Sequence, residues 1–155
     1  MSHWVLPTTA DIGIRAFGRN KSDLLRELTL GMQGILLEGK QDINSLMRKT
    51  GRWEISHSGD IDLLVIKWLD EVIYRAEVYN EFLVDCQIIF HEDSIKSQVS
   101  FVDKNLVKLE VEIKAVTTHA FTFQKVGTGK IVKSEWKEIP EFTGPGWHAD
   151  VIFDI

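Results

Sequence analysis

A chain of 155 residues, 44% of them hydrophobic, has material for one core, so a single domain spanning residues 1–155 is expected. Its formal charge of −5, with 23 acidic against 18 basic residues, supplies no chain-wide cationic footprint for phosphate backbones, and direct stable nucleic-acid binding is not expected. "MSHWVLPTT" lacks the basic-then-apolar order of a secretion signal and no run of about 18 apolar residues follows, so no membrane span is expected and the cytoplasm is the expected location.

"TTADIGIRAFG" opens the first long strand, with Ile12, Ile14 and Ala16 on one side and Asp11, Gly13 and Arg15 on the other. In "NKSDLLRELTLGMQGILLEG" the residues Leu24, Leu28, Met32 and Ile35 recur at helical spacing, with Asn20 as the expected cap and Gly39 as the expected stop. "KQDINSLMRKT" leads to a short strand at "RWEIS". Ser58 or Asp60 should then cap a second helix whose stripe is Ile61, Leu64, Val65, Trp68, Leu69, Val72 and Ile73.

From Glu81 the period changes to alternation. Phe82, Val84, Cys86, Ile88 and Phe90 mark one strand face, so the single cysteine is expected to pack in the core, in a reducing compartment. Three strand-like runs, broken at "HEDS" and "DKN", predict a β-meander. The third is the most regular, with Val107, Leu109, Val111, Ile113 and Ala115 pointing one way and Lys108, Glu110, Glu112 and Lys114 the other. The chain continues through "VTTHAFTFQKV", makes a hairpin turn at "GTGK", resumes at "IVKSEWKEI" and crosses "PEFTGPG". It finishes as "WHADVIFDI", with Trp147, Ala149, Val151, Phe153 and Ile155 on the packed face and His148, Asp150 and Asp154 on the other. The class expected is α+β: one two-layer domain, a largely antiparallel sheet of about six or seven strands with two main helices on one face.

If the first and last strands are neighbours, Asp11 and Asp154 approach each other, and the terminal carboxylate of Ile155 lies one residue from Asp154. Three anionic groups at one spot repel, which raises their pKa values or demands a cation, and a hard, oxygen-liganded ion such as calcium or magnesium answers that need. The plainer reading is a pair of solvated acids, with Arg15 free to pair with either. "EIKAVTTH" is the second place to look: Lys114 falls on the polar face, while His119 falls on the packed face unless a bulge re-aims it. The histidines His3, His57, His91, His119 and His148 are scattered, and no zinc-type spacing, nucleophile elbow or phosphate loop occurs. Trp68 and Trp147 are accounted for as core, leaving Trp4, Trp53 and Trp136 open.

"TADIGIRAFG" followed by a leucine-rich helix, "LLVIKWLDEVIY", "EIKAVTTH" and a last strand ending "VIFDI" together resemble the archease family, in order and over essentially the whole chain. The resemblance implies a non-enzymatic accessory protein of the RtcB-type RNA ligase, promoting guanylylation of the ligase and multiple turnover in tRNA splicing or RNA repair, while the ligase itself carries GTP and manganese. It further implies a divalent ion, calcium, as cofactor, bound by Asp11, Asp154 and Ile155, with Lys114 and His119 as the partner-activation candidates. Thr8 stands where the family usually has histidine and Thr118 where it has tyrosine, and the stretch from Gly127 to Trp147 is longer than a tight hairpin. Two rivals remain: a metal-dependent phosphohydrolase on the same carboxylates, with His148, His119 or Lys114 as acid or base, and a chaperone-like or RNA-binding module.

Overall fold

The computed structural model describes residues 2–8 and 11–155. The expected α+β class is observed: the described residues form two α-helices and ten strands, with every strand ladder antiparallel. The order begins β1 (His3–Leu6), β2 (Ile12–Gly18), α1 (Lys21–Leu36), β3 (Lys49–Ser56), α2 (Ile61–Tyr79), β4 (Glu81–Phe90) and β5 (Ser94–Asp103). It continues with β6 (Ala115–Val116), β7 (Thr122–Val126), β8 (Ile131–Val132), β9 (Phe142–Thr143) and β10 (Gly146–Asp154). A five-stranded sheet runs β1-β2-β10, with β6 and β7 both laid along the far edge of β10; β3-β5-β4 form a second sheet and β8-β9 a small third one. The strand count exceeds the expected six or seven because the segments after β5 pair as short, separate pieces.

Both helices begin as the sequence dictates. The Asn20 side chain accepts from the Asp23 N–H at 2.8 Å, and Asp60, rather than Ser58, accepts from the Asp62 N–H at 2.9 Å. α2 ends on Asn80 in the left-handed region at φ 58°, a conformation asparagine tolerates. α1 stops at Leu36, short of Gly39, because the chain turns extended there to pair with a later segment: the Glu38 N–H donates to the Lys108 carbonyl and the Glu110 N–H to the Leu36 carbonyl. Leu24, Leu28 and Met32 of α1 and Val65, Trp68, Leu69 and Val72 of α2 are fully buried, so the helical stripes become core as expected. Each such side chain contributes roughly 1.5–3 kcal/mol relative to exposure.

The core contains a few polar groups: Thr29, Trp68 and Gln33 are hydrogen-bonded, whereas neither ring nitrogen of the buried His148 has a hydrogen-bond partner among the described residues. The Trp68 indole N–H donates to the Thr29 hydroxyl at 3.0 Å, which in turn donates to the Leu25 carbonyl at 2.7 Å. Where the β4–β5 ladder slips between Leu83 and Asp85, the buried Gln33 amide donates to the Leu83 carbonyl at 2.9 Å. Cys86 is buried as expected, and burial pushes its thiol up to about 12. Trp53 is also core, 6.3 Å from Trp68 between ring centres, whereas Trp4 is half-buried against Phe17.

Several expectations are corrected. The predicted meander is a β4–β5 hairpin whose third strand is the earlier β3, and the regular run 107–115 is not a ladder strand: beyond one isolated bridge between Leu37 and Leu109, only Ala115 joins β6. The alternation still governs burial as far as Ile113, but Ala115 is exposed and Val116 buried, so the faces exchange as the chain enters β6. "GTGK" does turn, with Gly129 at φ 77°, but β8 pairs with β9 and not back onto β7. The rest of "IVKSEWKEI" beyond Val132 is irregular. In the last strand Ala149, Val151 and Phe153 are fully buried as expected, while Ile155 lies at the surface, 42% exposed.

Candidate functional site

The first and last long strands are neighbours. β2 and β10 pair over seven residues, from Trp147 opposite Gly18 to Phe153 opposite Ile12. Asp11 and Asp154 are the next residues beyond that last pair, Asp11 in a bend just before β2 and Asp154 at the end of β10, and both are exposed. The Thr8 hydroxyl donates to the Asp11 carbonyl and so ties down the approach to β2; Thr9 and Ala10, within the motif that opens the strand, lie outside the described residues.

On the other edge of β10, Ala115 is the registered partner of Asp154, and the Lys114 N–H donates to the Asp154 carbonyl at 2.7 Å. Lys114 therefore stands beside Asp154, exposed, and Ile155 follows directly. His119 is carried differently. β6 pairs with Phe153 and Asp154, and β7 with Gly146 to Asp150, so residues 117–121 must span an interval that β10 covers with Val151 and Ile152 alone. The surplus is thrown outward, through Ala120 at φ 54°. Strict alternation would bury His119; this excursion is the re-aiming bulge, and His119 is exposed. On α2, Asp70 adjoins β6: desolvation raises its carboxyl above the ordinary range, against the lowering effect of the Val116 N–H. No pattern in the sequence pointed to this residue.

Arg15 does not compete for Asp11 or Asp154. It pairs with its own cross-strand partner Asp150, Nε to Oδ1 at 2.8 Å and Nη2 to Oδ2 at 2.9 Å. A third nitrogen, Nη1, donates to the Lys133 carbonyl at 3.1 Å, and the guanidinium lies 5.3 Å from the centre of the Trp136 ring. The long stretch after Gly127 thus covers the outer face of β2 and β10, with Phe142 stacked on Phe17 at 4.6 Å. Under it, His148 is buried with Nε2 3.2 Å from Asp150 Oδ1, close but off the hydrogen-bond direction. Burial works to raise the Asp150 carboxyl, yet His148 and Arg15 beside it outweigh that and hold it below the ordinary carboxylate range. His148 lies six residues before Asp154, about 20 Å along the strand. It is therefore no acid or base for chemistry at the strand end; of the other two named candidates, Lys114 adjoins Asp154 through its backbone and His119 sits exposed on the 117–121 excursion.

The groups nearest that end of the ladder are oxygen donors: the carboxylates of Asp11 and Asp154 and the main chain of Ile155. Such a set fits a hard divalent cation and not a thiolate or imidazole metal. Among the described residues no three His, Cys, Asp or Glu side chains gather as a complete cage.

The profile of the Archease protein family (MTH1598/TM1083) matches residues 4–155. The chain belongs to the archease family. Among curated family members it is 29% identical to "Protein archease" of Methanosarcina barkeri, over 97% of this chain and 93% of that one. It is 25% identical to the protein of the same name from Saccharolobus solfataricus, over 80% of this chain and 89% of that one. The fold is that of the solution structure of Methanobacterium thermoautotrophicum protein 1598, with a TM-score of 0.62, 22% identity and 99% of each chain covered. No helix among the described residues is long and apolar enough to cross a membrane.

Proposed function

We propose that this archease-family chain is a non-enzymatic accessory protein that docks on an RtcB-type RNA ligase in the cytoplasm and promotes its guanylylation and repeated turnover in tRNA splicing or RNA repair. A divalent ion, calcium in the first instance, is held by Asp11, Asp154 and Ile155, while Lys114 and His119 are presented to the partner from the adjoining edge of β10. When bound, the ion supplies positive charge that offsets the repulsion of the two carboxylates and clamps the ends of β2 and β10. The observation that supports this reading is the β2–β10 ladder, whose last pair, Phe153 with Ile12, is followed directly by Asp154 on one strand and preceded by Asp11 on the other, with the Lys114 backbone tied to Asp154 on the far edge. Withdrawal of Arg15 into its pair with Asp150 adds support, because it leaves the two exposed acids without that cation.

The test compares wild type with Asp154→Ala in a pull-down with the ligase and in a guanylylation assay. Stimulation by wild type and its loss in the variant are expected. Equal stimulation by both would defeat the site assignment, and turnover of phosphoesters by this chain alone would defeat the non-enzymatic reading.

A further inference from the structure

The most strand-like run in the sequence is the one that found no complete ladder. Val107 and Ile113 are buried, Leu109 and Val111 half-buried, and Lys108, Glu110 and Glu112 exposed, so burial alternates as in a strand on either side of a bend at Glu110. In such a segment successive peptide groups point to opposite edges. One edge is used: the Lys108 carbonyl accepts from Glu38, the Glu110 N–H reaches Leu36, and the Lys114 N–H reaches Asp154. The peptide groups of Leu109, Val111 and Ile113 belong to the opposite edge, and none makes a backbone hydrogen bond among the described residues. Alongside lies a groove of about 320 Å³ whose apolar lining includes Leu36, Ile73, Ala76, Phe82, Val111 and Ile113. Its rim carries Glu77, Glu110, Glu112 and Lys104. Lys104 is already engaged by Glu77 at 3.2 Å, and neither Glu110 nor Glu112 has an ion-pair partner among the described residues.

We infer that this edge is a docking site for an extended segment of a partner protein in which basic and apolar residues alternate. The incoming strand completes the hydrogen bonds of Leu109, Val111 and Ile113, lowers an apolar side chain into the groove beside Val111, and sets Lys or Arg across from Glu110 and Glu112. Charge decides the occupant: a second copy pairing through the same segment would place glutamates against glutamates, which is repulsive. This inference rests on the proposed role only in taking the chain to work by docking on another protein. Ile113 leads straight into Lys114, so a strand bound here runs toward the Asp11–Asp154 end.

The probe is a capped hexapeptide of alternating Lys and Val, titrated into the isotope-labelled full chain, with an alternating Glu–Val peptide of equal length as control. The expected result is amide shifts and slowed hydrogen exchange centred on Leu109 to Ile113 with the basic peptide only. Affinity should fall about tenfold in Glu110→Lys/Glu112→Lys. It should also fall in Val111→Pro, which removes an open-edge N–H and none of the bonds the segment already makes. Circular dichroism and the thermal midpoint confirm that each variant is folded. No response at the segment, or an equal response to the acidic peptide, overturns the inference, as does a dimer in sedimentation that Val111→Pro disperses or binding of an RNA oligonucleotide at the same amides. A final arm separates the two readings: a ligase bound and stimulated equally by wild type and Val111→Pro defeats the docking edge and leaves the accessory role standing. A peptide response without any effect on the ligase does the reverse.

Discussion

Arg15 and Asp150 face each other across the β2–β10 ladder and meet with two nitrogens on two oxygens, at 2.8 and 2.9 Å, largely out of water. A buried pair of this kind is costly to break from one side, because the remaining charge is left uncompensated. Arg15→Met should therefore lower unfolding stability by about 3 kcal/mol, while Arg15→Met combined with Asp150→Leu should recover most of the loss. Urea denaturation of the two variants against wild type measures both.

The same pair fixes a pH dependence. The folded Asp150 carboxyl lies below its ordinary value of 3.8, so its stabilisation is fully present above that value and is lost as the pH falls through the lower, folded one. Asp150→Asn should flatten the acid limb of the stability curve in that window and leave its shape near neutrality unchanged. Chemical denaturation at a series of pH values reads this out.

Cys86 should be inert in the native chain. Its thiol is buried beside Asp85 and held near 12, so thiolate is negligible at neutral pH. A disulfide-exchange reagent should label it only at the rate of global opening, and labelling should become immediate in denaturant. Rapid modification of the folded protein would contradict the packing of β4.

Gln33 closes the carbonyl that the β4 irregularity leaves at Leu83. Gln33→Leu should cost about 1–3 kcal/mol even though it adds apolar surface, because a buried acceptor loses its donor. Hydrogen exchange should locate the effect at the bulge and at α1.

Calcium affinity, measured by calorimetry, should fall on the order of tenfold or more in either Asp11→Asn or Asp154→Asn. The double variant should lose little beyond the stronger single one, as expected of two donors to one ion. Purely additive small effects would mean two unrelated surface acids.

Much of this arrangement was legible because local and global signals agreed. Asn20 and Asp60 cap the helices, the stripes from Leu24 and Leu64 are core, and Ala149, Val151 and Phe153 point inward. What failed to be read depends on partners that are remote in sequence. The run from Val107 to Ala115 has the alternation of a strand, but alternation records which side is buried and not whether a neighbour is present to bond with. Gly39 was a reasonable helix stop until the pairing of Leu37 with Leu109 ended α1 earlier. His119 was displaced by a length mismatch between β6–β7 and β10 that is visible once both ladders are known. For the candidate site, Asp11, Asp154 and Lys114 were nameable from face and motif. The capture of Arg15 by Asp150 was not, since Arg15 could equally have served either exposed acid.

β10 lies in the interior of the five-stranded sheet, yet it follows every other strand in chain order. During synthesis the β1–β2 hairpin and α1 emerge well before the strand that will close them, leaving the inner edge of β2 unshielded meanwhile. Nascent chains of this fold thus have a built-in interval of vulnerability to mispairing, and assembly of the sheet is forced to be a late, all-at-once event rather than a progressive one.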